Sequence, residues 1–155
     1  MSLTPAIRKV GHVVFNVRDP EASASWYKDV LGMIETARGA GGIFLSFGEQ
    51  DHDIALFAAP SDAQPSKLGL QHVGLEIEGG AEELRALYGR LIAKKVQITE
   101  IADHGIAWGV YFLDPDGNEL ELFARLAHGE QARRMLHDLH APATPMKLDA
   151  IMPGA

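Results

Sequence analysis

Two stretches of this chain repeat the same order of features, and that repeat limits the folds open to it more than any single motif does. Gly11-His12-Val13-Val14-Phe15-Asn16-Val17 is matched by Gln71-His72-Val73-Gly74-Leu75-Glu76-Ile77, with His as the second residue of each. Alternation at a period of two describes a half-buried strand. Val13, Phe15 and Val17, or Val73, Leu75 and Ile77, share one face; His12, Val14 and Asn16, or His72, Gly74 and Glu76, share the other. The apolar face must be covered, and a helix follows in each half. In the first, Asp19 reads as N-cap with Pro20 in the first turn, Trp26, Tyr27, Val30 and Leu31 fall at helical spacing, and Gly32 stops the helix. The second helix is expected from Glu82 to about Lys95, with Leu84, Leu87, Leu91 and Ile92 as its stripe and Lys94-Lys95 at the negative end of its dipole.

Further strands are expected after each helix, over 43–47 and 52–57 in the first half and over 108–113 and 119–123 in the second. Each half therefore reads β-α-β-β-β, an α+β organisation. The boundaries are a first module over 9–59, a second over 70–126, and a C-terminal helix and extended tail over 127–155. Between the modules, residues 60–67 (PSDAQPSK) are polar and proline-bearing, as an exposed connector should be. Within the tail the pattern gives an amphipathic helix over about 130–139, then Ala141-Pro142-Ala143-Thr144-Pro145. This tail is expected to pack over the paired modules or on a partner subunit.

Composition narrows the chemistry. With 155 residues, 46% hydrophobic and 23% charged, the chain is long enough for two small modules sharing a core. A net charge of −7, from 21 acids against 14 Lys and Arg, repels a phosphate backbone, so nucleic acid is not an expected partner. Cysteine is absent, which excludes thiolate metal sites and leaves His and carboxylate as the available ligands. No run of about 18 apolar residues exists to span a bilayer, and a cytoplasmic location with no membrane partner is the expectation.

His12 and His72 hold equivalent places on the faces turned away from the helices. A pseudo-twofold pairing of the modules would point both into one cleft. A third group comes from the hairpin whose loop, Asp114-Pro115-Asp116-Gly117-Asn118, carries strong turn chemistry. If its strands pair symmetrically about Asp116, Tyr111 lies opposite Glu121 and both project from one face. Taken alone, each His reads as a polar strand residue. Two His and one carboxylate in register make instead the three-ligand set used for ferrous non-heme chemistry, which manganese and zinc also accept. The repeat aligns Glu121 with Ala55, so the first module lacks a matching carboxylate. A site of three protein ligands, His12, His72 and Glu121, is expected.

Gly11-His12-Val13, Arg18-Asp19-Pro20 with Trp26-Tyr27 and Leu31-Gly32, Gln71-His72-Val73, and 111–118 with Glu121 together resemble the vicinal oxygen chelate superfamily. That group of paired β-α-β-β-β modules includes glyoxalase I, fosfomycin-resistance transferases, bleomycin-resistance proteins and extradiol ring-cleaving dioxygenases. The resemblance spans about 9–125 and implies a cup-shaped, incompletely closed barrel of mixed sheet. Within the superfamily, His52-Asp53-Ile54-Ala55-Leu56 resembles the segment that supplies the acid-base histidine of type I extradiol dioxygenases. Asp103-His104-Gly105 resembles the segment of a second active-site histidine, and Tyr111 matches their tyrosine ten residues before the metal glutamate.

The resemblance implies an enzyme that opens a catechol-like ring with O2 on Fe(II), with Mn(II) or Zn(II) as other occupants. His52, His104 and Tyr111 are its catalytic candidates, and a homo-oligomer, a dimer, is the expected assembly. Two alternatives share the fold: a glyoxalase-type isomerase or fosfomycin-resistance-type transferase on the same ligands, and a metal-free binding protein of the bleomycin-resistance type. Strict alternation places His52 on the face of Ile54 and Leu56, so a bulge or twist at Asp51-His52 is required to turn it toward a metal. His128, His137 and His140 share no face and read as surface residues. Gly39-Ala40-Gly41-Gly42 precedes a strand and lacks the lysine of a phosphate loop, so it reads as a hairpin.

Overall fold

The computed structural model describes residues 9–64 and 69–154, and divides into two compact units, 1–64 and 65–155. The first holds β1 (Val13–Val17), α1 (Pro20–Leu31), β2 (Ile34–Gly39), β3 (Gly42–Ser46) and β4 (Ile54–Ala58). Its open sheet has the order β1-β4-β3-β2, with β1 and β4 parallel and the other pairs antiparallel. α1 begins where the sequence requires: the Asp19 carboxylate accepts from the N–H groups of Glu21 and Ala22 at 3.0 and 3.1 Å, and Pro20 sits at the first position. It ends at Gly32, whose φ of 74° only glycine adopts freely. Tyr27 and Val30 on α1 are buried with Phe15, Val17, Ile43, Leu45, Ile54 and Leu56, and the helix packs on β3 and β4. Burying such side chains fully stabilises the fold by about 1.5–3 kcal/mol each.

The second unit repeats the plan with β5 (His72–Glu76), α2 (Ala81–Ala93), β6 (Ile98–Asp103), β7 (Ala107–Leu113) and β8 (Glu119–Arg125), then adds α3 (Gly129–Asp138) and β9 (Thr144–Pro145). The order is β5-β8-β7-β6-β9, with β5 and β8 parallel. Leu84 and Leu91 of α2 are buried with Val110, Phe112, Leu120 and Leu122. The hairpin register is fixed by Asp114, which is 5% exposed; its Oδ1 accepts from the N–H groups of Asp116 and Asn118 at 2.9 and 2.8 Å, and its Oδ2 accepts from Asn118 Nδ2 at 2.8 Å. Tyr111 consequently pairs with Glu121, as the symmetry about Asp116 requires.

Several sequence readings shift. The strand expected from His52 begins at Ile54, because the Asp53 carboxylate accepts from Phe47 N–H at 2.8 Å and Ser46 Oγ at 3.2 Å and bends the chain before it. β2 and β6 each carry a bulge, at Thr36 and Thr99, which breaks the alternation that would have marked them. Ile92 lies at the edge of its stripe and is 40% exposed. Gly39-Ala40-Gly41-Gly42 forms the β2–β3 turn, with φ of 50° at Ala40 and 80° at Gly41, the two positive angles of a tight hairpin. Residues 65–67 of the expected connector lie outside the described residues. The tail packs on its own unit: β9 pairs with β6, Arg85 Nε donates to the Asp149 carbonyl at 2.8 Å, and Ile151 N–H donates to the Arg85 carbonyl at 3.0 Å.

Candidate active site

Glu121 is the centre from which the site is built. It stands on β8 between Gly74 of β5 and Tyr111 of β7, and is 7% exposed. The absence of side chains on two neighbours gives its carboxylate room. A Cβ on Gly109 would lie 2.2 Å from Glu121 Oε1, and one on Gly74 would lie 3.3 Å from Oε2. Neither glycine stood out as functional in the sequence, although a glycine inside a strand is itself a signal of close approach.

Three groups face this carboxylate. His72 Nε2 is 3.4 Å from Oε2, and His104 Nε2 is 3.7 Å from Oε1. The Tyr111 hydroxyl is 2.9 Å from His104 Nε2, and its ring lies edge-on to both His72 and His104. Burial, and then the Glu121 charge, push the Tyr111 phenol well above its usual range. Tyr111 is therefore a hydrogen-bond donor throughout the neutral range. Each ring also has a partner at Nδ1: His72 Nδ1 lies 3.1 Å from Gln71 Oε1 and His104 Nδ1 lies 3.0 Å from the Pro142 carbonyl. The main-chain carbonyl can only accept, so in the neutral ring it selects the Nδ1–H tautomer of His104 and leaves Nε2 with its lone pair.

The second unit thus gathers His72, His104, Tyr111 and Glu121. The first unit gathers the other two sequence-predicted residues. His12, just ahead of β1, has its ring 4.5 Å from that of His52, and His52 stands edge-on to Phe44 at 5.2 Å. Phe44 pairs with Ala55, so the Asp53 bend has carried His52 to the Ala55 face. The twist demanded of this segment is present. His52 Nδ1 meets Asp51 Oδ2 at 2.5 Å, which holds the Asp51 carboxyl below its usual range and leaves Nε2 bare.

A cleft of about 270 Å³ opens on the Glu121 side of the second unit. Its polar wall is His104, Tyr111, Glu121 and Arg125, and its apolar wall includes Ile106, Phe123, Leu136 and Pro142. Arg125 Nε pairs with Glu76 Oε2 at 2.9 Å, and the guanidinium lies 5.1 Å from the Phe123 ring centroid. Leu136 and Pro142 come from the tail, which the sequence expects to pack over the modules or on a partner subunit but in which it marks neither residue. His128, His137 and His140 are exposed.

The donor set fits a divalent cation. A buried carboxylate is costly without a positive partner, and the ion-pair partners of Glu121 among the described residues are two imidazoles rather than Lys or Arg. Among the described residues no three His, Asp or Glu side chains are gathered closely enough to ligate one ion. In the second unit the imidazole nearest the Glu121 carboxylate is that of His72, with Nε2 at 3.4 Å from Oε2.

Comparison with known proteins follows the same lines. Residues 9–122 match the family described as Glyoxalase/Bleomycin resistance protein/Dioxygenase superfamily. The chain is similar to biphenyl-2,3-diol 1,2-dioxygenase 2 of Rhodococcus globerulus, 32% identical over 125 residues that make up 79% of this chain and 64% of the relative. Biphenyl-2,3-diol 1,2-dioxygenase 3 of the same organism is 30% identical over 126 residues, with the same coverage. The chain thus spans somewhat less than two thirds of these relatives. Its fold is like that of the fosfomycin resistance protein FosX of Listeria monocytogenes complexed with Mn(II) and sulfate, at a TM-score of 0.65 and 19% identity, covering 87% of this chain and all of that one, 100%.

Proposed function

The chain belongs to the Glyoxalase/Bleomycin resistance protein/Dioxygenase superfamily, and within it we propose that the protein is a metal-dependent extradiol dioxygenase that opens a catechol-like ring with O2. The observation that carries this reading is the Tyr111–His104 pair at 2.9 Å beside Glu121, on the polar wall of a cleft whose other wall is apolar. A metal site alone needs neither group. Two vicinal hydroxyls on a flat ring need both a polar wall and an apolar one. Similarity to two biphenyl-2,3-diol dioxygenases supports the same class of substrate.

In this reading His12, His72 and Glu121 hold the ion, Fe(II) in preference to Mn(II) or Zn(II). The metal supplies Lewis acidity toward the substrate oxygens and the redox chemistry with O2. The rest falls to the chain. Tyr111, which keeps its proton at neutral pH, donates to a substrate oxygen. His104, its Nδ1–H tied to Pro142, presents Nε2 to accept a hydroxyl proton. His52, its Nδ1 tied to Asp51, presents Nε2 as the acid-base group. Ile106, Phe123, Leu136 and Pro142 hold the ring and exclude water.

The test loads the full chain with Fe(II) under anaerobic conditions, then follows oxygen uptake and visible absorbance over a catechol panel. Uptake matched to product is the expected result; no uptake with any catechol overturns the reading. His52→Ala should retain iron and lose turnover. Retained oxygen uptake in that variant would remove His52 from the acid-base role; no uptake by the native chain, with a metal other than iron bound as isolated, would favour the isomerase or transferase alternative, which needs the ligands but not His52. A melting temperature unmoved by any divalent metal would favour the metal-free binding protein, since a metal that binds the native state must stabilise it.

A further inference from the structure

The tail that follows the family match reaches back to a group of the candidate site. After α3, Ala141 N–H donates to the Leu136 carbonyl at 2.8 Å, and His140 and Ala141 both hold left-handed backbone, with φ of 57° and 48°. This is an uncommon conformation for residues with a Cβ. The turn delivers the Pro142 carbonyl to 3.0 Å from His104 Nδ1. The segment is held on both sides. Leu139 and Pro142 lie against Gly105, where an added Cβ would come within 2.7 Å of Leu139 Cδ1, and Thr144 and Pro145 pair with Asp103 and Ala102. His104 itself sits in a tight turn closed by its N–H to the Ala107 carbonyl at 2.9 Å.

We propose that the His140–Pro142 segment is a positioning strap, whose Pro142 carbonyl fixes His104 as the Nδ1–H tautomer and so aims a bare Nε2 at Tyr111 and the cleft. A peptide carbonyl has lone pairs only, so the hydrogen bond has one direction. In the opposite tautomer Nδ1 would face that carbonyl lone pair to lone pair, while Nε2–H would donate to the Tyr111 oxygen and turn its proton away. One contact therefore sets the sense of the whole Pro142–His104–Tyr111 chain. The effect on turnover rests on the dioxygenase reading above; the tautomer does not.

The experiment records the imidazole nitrogen NMR signals of the full chain, with and without Ala141→Pro. Proline cannot adopt the φ of 48° found here, so the substitution displaces the carbonyl. The native chain is expected to show His104 protonated at Nδ1 and bare at Nε2, and Ala141→Pro to show a mixture of tautomers. Ala141→Gly, which accepts left-handed backbone, should keep the native signals. In the oxygen-uptake assay Ala141→Pro should lower kcat by about 10- to 100-fold, the scale of a small misplacement of a reacting group, with KM and metal content nearly unchanged. A native His104 protonated at Nε2, or an Ala141→Pro chain that keeps the native tautomer, overturns the proposal. If Ala141→Pro does not fold, an ester in place of the peptide bond after Pro142 weakens the same acceptor without moving the chain; the His104 Nδ1–H resonance should then move upfield, and an unmoved resonance overturns the proposal equally. The expected tautomers with no oxygen uptake by the native chain would leave the strap standing and remove the dioxygenase.

Discussion

Unit for unit, the two sheets are the same frame with different contents. Val14, Ala55 and Phe44 lie side by side across β1, β4 and β3; Gly74, Glu121 and Tyr111 lie side by side across β5, β8 and β7. The correspondence extends one pair further, since Gly42 is opposite Phe57 and Gly109 is opposite Phe123. Over Gly42 the space is filled by the Phe57 ring, which a Cβ would strike at 2.5 Å, and Phe57 meets the Phe44 ring edge-on at 6.0 Å. Over Gly109 the space is filled by the Glu121 carboxylate. One frame thus gives an aromatic surface in the first unit and a carboxylate with a phenol in the second. The repeat preserves backbone clearance, and the residue beside it decides between packing and chemistry.

Exchanging those contents should produce the largest effects. Glu121→Ala places the first unit's residue in the second, and metal affinity should fall by more than about 100-fold, beyond the loss typical of outer-shell partners. The melting temperature without metal should hold or rise, because a buried charge has gone. The reverse change, Ala55→Glu, puts a carboxylate beside Val14 in a frame where the Phe57 ring already fills the space over Gly42, at a residue that is 0% exposed. Its cost in stability should be at least about 3 kcal/mol. Metal titration and thermal unfolding of the two variants check both halves. Equal effects of the two changes on stability would break the comparison.

The equivalent glycines sharpen it next. Gly109→Ala meets the movable end of Glu121, so the fold should survive while the carboxylate shifts and metal affinity drops by about 10- to 100-fold. Gly42→Ala meets a packed ring instead, and should cost about 1–3 kcal/mol with metal affinity unchanged. Calorimetric metal titration beside urea unfolding separates the two.

Much of this was legible before any coordinates, for identifiable reasons. The register of Tyr111 on Glu121 follows from Asp114, Asp116, Gly117 and Asn118, whose turn chemistry acts within a few residues and can be read locally. The lack of a carboxylate in the first unit followed from alignment of the halves, and the pairing of Ala55 with Val14 bears out that equivalence. What stayed hidden depends on contacts distant in sequence. β2 and β6 are bulged at Thr36 and Thr99, where Thr36 Oγ1 donates to the Asp51 carbonyl at 2.6 Å and Thr99 Oγ1 donates to Glu119 Oε1 at 2.7 Å. A bulge erases the period of two on which strand recognition rests. The Pro142 contact to His104 uses a main-chain carbonyl, which has no side-chain signature at all.

Tyr111→Phe is a milder exchange, since phenylalanine is what the first unit carries at this place, as Phe44. The ring and the fold should remain, while the lost hydroxyl lowers kcat by about 100-fold, the lower end of what a positioned proton-transfer group contributes. The native phenol also has a pH signature. Its folded-state pKa lies above the unfolded value of about 10, so above that pH the unfolded chain loses a proton that the native chain keeps. Native stability should therefore decline more steeply above about pH 10 than that of Tyr111→Phe. Denaturant unfolding of both proteins across that range reads the difference, and parallel curves would show that the phenol does not titrate differently on folding.

The smallest contrast concerns how the two helices begin. α1 is capped by a side chain at the cap itself, Asp19, whereas α2 starts from Gly80, which has none, and depends on Glu83 Oε2 accepting the Gly80 N–H at 2.7 Å. Asp19→Ala should cost about 1 kcal/mol, as loss of an N-cap generally does. Glu83 is exposed, and water competes for its bond, so Glu83→Gln should have a smaller effect on stability at neutral pH. Its signature lies in acid. The Gly80 hydrogen bond holds the Glu83 carboxyl below its usual range, so its contribution is complete above the unfolded pKa and fades as pH falls through the lower, folded value. Native chain and Glu83→Gln should therefore differ most near neutrality and converge in acid. A difference that persists there would mean that Glu83 acts on α2 through something other than its charge.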